Sequence, residues 1–478
     1  MKTLNNKKCN TPIIENLETA MGRKTHQFHI PGHTKGNAIL KEFKRLIGKK
    51  VLNIDTTDAF EDIGTLNPPS GAINEAQILA AQAFGSKKTF FLLNGSTVGN
   101  LAIAMSMTKR GQKVILNRNS HRSIITGLII SGAEPLWLIP QKIDGWDIWG
   151  QVLAEDVEKL LKKNPDTKLV WITNPTYEGI VSNIKSISIV CKKYKVPLAV
   201  DEAHGCLWHF NKNLPESSLD AGADLIIHSL HKTGGSLSQS SMLHVGKNSS
   251  VDVENLEKTL KMLHTTSPSV LLLASLDAAR AQLQSDKGIK LIKKAINNAV
   301  FFRNKLTKIP NIIALESSKN TPLDLTKIFV RSQNFSGKQL YEILKYEYNI
   351  EAESATDTGV LFLSNIGNSR KDFEYLTSCL EKISYKGSLK QSKKYPENKK
   401  HMPMLIPQIQ MNPQDAFYSE KESIKPIDAV GKISAQLIAE CPPGISILVP
   451  GELITKNHLK YLEEYDKIDV VKQTKTRA

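Results

Sequence analysis

The chain has 478 residues, 40% hydrophobic and 23% charged, a make-up of globular proteins that excludes bulk disorder and fibrous repeats. Its formal charge of +16 comes from 63 Lys plus Arg against 47 Asp plus Glu, but the lysines are spread among acids and no basic motif with interleaved aromatics occurs, so no nucleic-acid partner is expected. No apolar run approaches the roughly 18 residues of a membrane span and the amino terminus lacks a secretory core, which predicts a cytoplasmic protein without membrane contact.

Residues 1–74 hold HQFHIPGHTKG and EDIGTLNPPSG, whose Gly and Pro clusters predict an irregular arm and linker. From Glu75 to Val245, the runs FFLLNG, KVILNR, EPLWLI, KLVWIT, PLAVD, LIIHS and SMLHV alternate with longer helical patterns. That alternation predicts an α/β domain, residues 75–310, with a mainly parallel sheet covered on both faces. The runs are apolar at consecutive positions, as in strands buried on both sides. Ile184 to Lys195 reads as an amphipathic crossover helix ending in basic residues, which suits the negative end of its dipole. A helical region spans Val251 to Leu306, and a smaller α/β unit, residues 311–385, carries IFVRSQ, VLFLSNIG and the helix SGKQLYEILKYEYN. A lysine-rich linker then opens a C-terminal domain, residues 386–478, containing AECPPGISILVPGE. Cys9, Cys191, Cys206, Cys379 and Cys441 are scattered, with no C-x-x-C pair, so neither a disulfide framework nor a metal site is expected. Cys206 reads as a small buried apolar residue.

Four strand ends carry the chemistry. Asp201 closes PLAVD, with His204 three residues on, and LIIHSLHKTGG places Ser229, His231 and Lys232 beyond a second strand. An acid and a lysine so placed can hold a pyridine aldehyde, the acid keeping the ring nitrogen protonated and the amine bonding the aldehyde. Asp201 equally suits a helix N-cap, and Lys232 an exposed surface lysine. In LLNGSTVGN, Gly95 permits a tight turn, and Ser96 and Thr97 offer hydroxyls and N–H groups where a helix opens near Thr97, which is a phosphate site or a simple N-cap. The segment lacks the spacing of a dinucleotide fold or a P-loop. His121, in NRNSHRS, follows a strand at the carboxyl edge where ligands of open sheets collect; it is either a ring-stacking group or an ordinary loop histidine.

With those residues assembled, the chain resembles the Orn/Lys/Arg decarboxylases. FHIPGH, PSGAINEAQILAAQAFG, FLLNGSTVGN, NRNSHRS, VDEAHG, HSLHKT, LSQSSMLHV, HTTSPSVLLLASLD and CPPGISILVPGE stand in family order over most of the sequence. The resemblance implies an aspartate aminotransferase type of fold, pyridoxal 5'-phosphate as cofactor, and decarboxylation of lysine, arginine or ornithine in polyamine synthesis, with lysine slightly ahead. It implies that Lys232 bonds the cofactor aldehyde, Asp201 pairs with the ring nitrogen and His121 stacks on the ring. Gly95, Ser96, Thr97 and Ser229 then serve the phosphate, His204 shapes the pocket, and His231 is a candidate proton donor. Thr265 and Thr266 match a segment that reaches a partner subunit's phosphate, which implies a homodimer or higher assembly with shared sites. Glu353 is the preferred anchor for the substrate's distal cation, and Asp62 the second. The stretch from Ile54 to Pro69 departs from the more acidic family pattern, and the amino-terminal wing domain of larger members is lacking. An aminotransferase of the same fold, gripping the substrate carboxylate through Arg331 or Arg370, and a non-catalytic regulator of a decarboxylase are the alternatives.

Overall fold

The computed structural model describes residues 10–23, 25–58, 63–389, 408–440 and 444–472. The seven apolar runs form β1 (Lys88–Leu92), β2 (Lys113–Asn117), β3 (Glu134–Leu138), β6 (Leu169–Thr173), β7 (Leu198–Asp201), β8 (Leu225–His228) and β9 (Ser241–Val245); a short hairpin, β4 (Lys142–Ile143) and β5 (Ile148–Trp149), falls between β3 and β6. The seven make one sheet in the order β1-β9-β8-β7-β6-β2-β3. β2 runs parallel to β3 and β6, while β9 runs antiparallel to β1 and β8, so the sheet is mixed at one edge. Every residue of β7, β8 and β9 is buried, which explains why consecutive apolar positions, rather than alternating ones, were needed.

By its contacts the chain divides into two compact units. The first comprises residues 1–102, 201–212 and 216–291. The arm is less irregular than its Gly and Pro content suggests: α1 (Pro12–Gly22), α2 (Lys41–Ile47) and α3 (Lys49–Ile54) lie within it, and α4 (Gly71–Phe84) follows. Proline at the first turn of α1 costs no hydrogen bond, since that N–H has no intrahelical partner anyway. A buried ion pair, Asp277 with Arg280, ties α1 down: Ile13 N donates to Asp277 Oδ2 at 3.1 Å and Arg280 to the Asn10 carbonyl at 2.7 Å. Gly64 and Gly71 approach so closely that a Cβ on Gly64 would stand 2.1 Å from the Ser70 carbonyl oxygen, which is why GTLNPPSG needs both. α5 (Gly95–Met107) opens directly after β1, two residues earlier than expected, and α9 (Leu230–Thr233) follows β8. The long helical stretch resolves into α10 (Val253–Leu263), α11 (Val270–Gln284) and α12 (Asp286–Leu306), of which α10 and α11 start at the side-chain caps Asp252 and Ser269.

The second unit comprises residues 103–200, 213–215 and 292–478. It holds α6 (Arg122–Ser131), α7 (Ala154–Lys163) and α8 (Ile184–Lys193), the last capped by Asn183 and ending in Lys192 and Lys193 as the dipole argument requires. A four-stranded sheet of β10 (Ile312–Ala314), β11 (Lys327–Ser332), β12 (Ser354–Ala355) and β13 (Val360–Leu363) is antiparallel throughout. α13 (Gly337–Tyr348), with its Ser336/Gln339 capping box, and α14 (Arg370–Leu389) bury Leu340, Leu344, Phe373 and Leu380 with that sheet. α14 runs on to Leu389, into the stretch expected as linker; the rest of that linker lies outside the described residues. The C-terminal part adds α15 (Pro413–Tyr418), α16 (Leu459–Leu462) and two antiparallel pairs, β14 (Lys421–Ile424) with β17 (Ile468–Val471) and β15 (Ile438–Glu440) with β16 (Ile445–Leu448). Among the described residues, no helix is long and apolar enough to cross a membrane and no cluster of metal-ligating side chains occurs.

Candidate active site

Within the first unit, the ends of β1, β7, β8 and β9 gather the predicted residues. Gly95 begins α5 at φ +64, and a Cβ placed there would meet nothing within 4 Å, so the helix mouth is open. Its amide donates to the Gln239 carbonyl at 2.8 Å, which fixes the mouth against the segment before β9. Ser96 Oγ lies 2.6 Å from Ser229 Oγ and donates to Ser241 Oγ at 3.3 Å. Three hydroxyls thus converge at the positive end of a helix, a donor set suited to a phosphate dianion. Thr97, one residue further along α5, is exposed.

Asp201 is 4% exposed at the end of β7. Its Oδ1 accepts from the Ala203 amide at 3.2 Å and its Oδ2 from Asn100 Nδ2 at 3.3 Å, so both oxygens are oriented. Burying a carboxylate is costly without a cation, and a protonated ring nitrogen is one that fits. Lys232, in the single turn of α9, holds Nζ 3.1 Å from Nε2 of His204, which is itself buried. His231 must carry its proton on Nδ1, since the partner 2.8 Å away is the Ser240 carbonyl. Burial, and secondarily the Lys232 charge, pushes its imidazole below the ordinary range. Hydroxyls at a helix mouth, a buried carboxylate and an amine beside an imidazole together fit the phosphate, ring nitrogen and aldehyde of pyridoxal phosphate.

The other predicted residues lie on other elements of the chain. His121, in the second unit, caps α6: its Nδ1 accepts from the Ser123 amide at 3.2 Å, which places the ring proton on Nε2. Thr265 and Thr266 are exposed between α10 and α11, with Thr265 Oγ1 accepting from Ser267 N at 3.1 Å. Glu353 is an exposed carboxylate that accepts from the Tyr177 hydroxyl at 2.7 Å. Burial and the neighbouring Glu353 charge raise the Tyr177 phenol above its ordinary range, so it remains a donor. Asp62 lies outside the described residues. Arg331 stacks on Trp146 and donates to the Gly145 carbonyl, and Arg370 lies against Phe301. Cys206 is fully buried, 3.0 Å from Thr233 Oγ1, as a small core residue.

Sequence reasoning missed Asn100 and Ser241. Asn100 stands one helical turn after Ser96, so helical spacing was an available signal. Ser241 is the partner of Leu92 in the register of β1 with β9, which no local pattern announces. Also missed was a buried chain beneath the site. Glu202 accepts from Ser218 N and from His228 Nε2, each at 2.8 Å; His228 Nδ1 lies 3.1 Å from His244 Nε2, and His244 Nδ1 lies 2.8 Å from Thr89 Oγ1. Burial holds His244 well below the ordinary range, hence neutral.

Known proteins bear on this geometry. Residues 11–336 match the Orn/Lys/Arg decarboxylase major domain and residues 396–470 the C-terminal domain of the same family. The arginine decarboxylase of Bacillus subtilis is 36% identical over 459 residues, covering 95% of this chain and 93% of that protein. The constitutive lysine decarboxylase of Escherichia coli is 25% identical, covering 95% and 76%. Among solved structures, the Francisella novicida lysine decarboxylase LdcF superposes with a TM-score of 0.83 at 20% identity, covering 97% of this chain and 82% of that one, a likeness of fold. The chain belongs to the Orn/Lys/Arg decarboxylase family, has the aspartate aminotransferase type of fold expected from its motifs, and is a carboxy-lyase.

Proposed function

We propose that the site binds pyridoxal 5'-phosphate and removes the α-carboxylate of a basic amino acid, arginine before lysine or ornithine, to give a diamine-type product for polyamine synthesis. The observation that carries the reading is the buried Asp201 in one unit with the Lys232–His204 pair and the hydroxyls at the mouth of α5. Lysine was slightly ahead on sequence alone; the relative at 36% identity is named for arginine and the one at 25% for lysine, which moves arginine ahead.

When bound, the cofactor supplies an aldehyde for the substrate amine and a ring that accepts the electrons left as CO2 departs. The protein's residues supply orientation and field. Ser96, Ser229 and Ser241 hold the phosphate, and Asp201, fixed by Asn100 and the Ala203 amide, favours the protonated ring nitrogen. His204 holds the Lys232 amine at 3.1 Å, and His121 covers a ring face. His231, with Nδ1 committed to the Ser240 carbonyl, takes up a proton on Nε2 and returns it at the substrate carbon. Glu353 binds the distal cation, oriented by Tyr177.

The active unit in this reading is a homodimer, with Thr265 and Thr266 reaching the partner's site. Support comes from the arm, where Phe28 is 97% exposed, Leu46 81% and Leu40 72%, an apolar set that a second copy would cover. The division at 74/75, 310/311 and 385/386, and a cytoplasmic location, are part of the same proposal. The deciding assay supplies arginine, lysine and ornithine separately and identifies products by mass. CO2 and the amine are expected, with arginine giving the highest kcat/KM; a keto acid product would overturn the reading in favour of transamination.

A further inference from the structure

His121 owes its position to the far end of the chain. It sits in the turn between β2 and α6, and within the second unit that turn is gripped on both sides by residues 444–452. The Arg122 amide donates to the Gly444 carbonyl at 2.7 Å, and His121 itself pairs with Ile445 in an isolated antiparallel bridge. Arg118, three residues before His121, has a guanidinium only 4% exposed. It donates to the Ser446 carbonyl at 2.9 Å, the Ile447 carbonyl at 3.2 Å and Glu452 Oε2 at 3.3 Å, with its Cζ 4.9 Å from the Trp137 ring centroid. Glu452 is fully buried and also accepts from the Val449 amide at 3.0 Å, so its carboxylate faces both the arginine and its own turn. A guanidinium fork spread over two successive carbonyls of β16 and one carboxylate fixes direction as well as distance.

The turn has anchors of its own: Arg118 N to the Leu138 carbonyl at 2.8 Å, Asn117 Oδ1 accepting from Thr173 N at 2.9 Å and, beside His121, Ser120 N and Oγ donating to the Asn117 carbonyl at 3.0 and 2.6 Å. The C-terminal domain adds a grip on His121 and Arg122 themselves. A ring that must lie flat on a cofactor tolerates only a few tenths of an ångström of drift, and the Ile445 bridge and the Arg122–Gly444 bond add a hold on His121 beyond these local bonds.

We propose that the segment from Gly444 to Glu452 is a positioning clamp for His121, with Arg118 and Glu452 as positioning residues: the C-terminal domain sets the histidine that covers the cofactor ring. The proposal rests on the assignment of His121 to that ring, and its test separates the two. Arg118→Lys keeps a charge opposite Glu452 but loses the fork to the two carbonyls; Glu452→Gln keeps the shape but removes the charge. In the full-length protein without cofactor, both variants are expected to show amide hydrogen exchange about tenfold faster across residues 118–123, with residues 95–100 unchanged. Both are expected to bind pyridoxal 5'-phosphate about tenfold more weakly, followed by its visible band, and to lower kcat with little change in KM for the amino acid. Unchanged exchange across 118–123 overturns the clamp, and so does faster exchange with cofactor affinity and spectrum unaltered when His121→Ala itself weakens cofactor binding. His121→Ala is the control for the assignment: unaltered cofactor affinity and spectrum in that variant overturn the role of His121, while the exchange measurement still reads whether the clamp holds the turn. If Glu452→Gln does not fold, Arg118→Lys decides.

Discussion

The distal-cation anchor proposed at Glu353 is the part of the reading most open to a quantitative test. Glu353 is positioned by its backbone amide, which donates to the Leu361 carbonyl at 3.0 Å, and by the Tyr177 hydroxyl at 2.7 Å. Tyr177 is in turn held by the buried Lys327, whose Nζ donates to the Tyr177 carbonyl at 3.1 Å. Tyr177→Phe removes the hydroxyl that donates to Glu353 and that also meets the Ser354 side chain. A hydrogen bond to a charged group is worth about 1.5–3 kcal/mol when shielded, and an exposed carboxylate reduces that to about 1 kcal/mol. The expected outcome is a rise in KM of about fivefold, since about 1.4 kcal/mol is tenfold. Glu353→Gln deletes the charge itself, and a carboxylate about 4 Å from a cation near a protein surface counts for more than its positioning bond, so KM should rise about 10- to 100-fold. Because the anchor lies at the end of the substrate remote from the bond that breaks, kcat should change less than threefold in both variants if binding is lost uniformly. Initial rates of CO2 release over a concentration series, with thermal midpoints as a folding control, provide the measurement. KM values within twofold of wild type for arginine, lysine and ornithine in Glu353→Gln would refute the reasoning and leave Glu353 as a surface acid tied to Tyr177.

Three further outcomes are expected. Lys232→Ala should lose both the visible band of the bound cofactor and activity, and an active, coloured variant would sink the site assignment. Glu202→Ala, which strands His228 and Ser218 in a fully buried chain, should lower unfolding stability by about 3–5 kcal/mol in a denaturant titration; a loss under about 1 kcal/mol would mean that the chain carries no structural load. His458 is pushed down to about 4 by burial, with the nearby Arg118 charge adding to it, against an ordinary value near 6.5. The unfolded state therefore binds more protons between those values, and stability owed to neutral His458 is complete above about pH 6.5 and lost progressively toward pH 4. His458→Asn, which keeps an acceptor for the Thr455 amide, should gain relative to wild type as pH falls through that window, by about 2 kcal/mol after allowing for solvent; a difference that does not vary between pH 7 and 4.5 would count against it.

How much was legible in the sequence can be followed residue by residue. All seven strands of the large sheet were visible because buried strands must be continuously apolar, and Asp201, Ser229 and Lys232 were visible because polar groups at the ends of such runs need a reason to be there. The helices of the arm were not, because Gly and Pro mask short helices when counted by density rather than by position; Pro12 at the first turn of α1 is compatible with helix. Glu202 drew no attention beside Asp201, yet successive strand-end residues point to opposite faces, and it anchors the buried chain to His228 and His244 on neighbouring elements.

The sequence by itself determined the fold type and the family, and it singled out Lys232, Asp201 and the hydroxyls of Ser96, Thr97 and Ser229 as candidates for the site, since each is a local statement about residue type at the end of a run. Only the tertiary structure decided what lies opposite what. Sheet register brings Ser241 to Ser96, a loop returning from the C-terminal domain brings Gly444 and Glu452 to the turn of His121, and the small sheet brings Glu353 to Tyr177. These pairs are separated by about 145 to 334 residues in the chain, and spacing that large carries no period; it is fixed by burial and hydrogen-bond satisfaction over the whole fold.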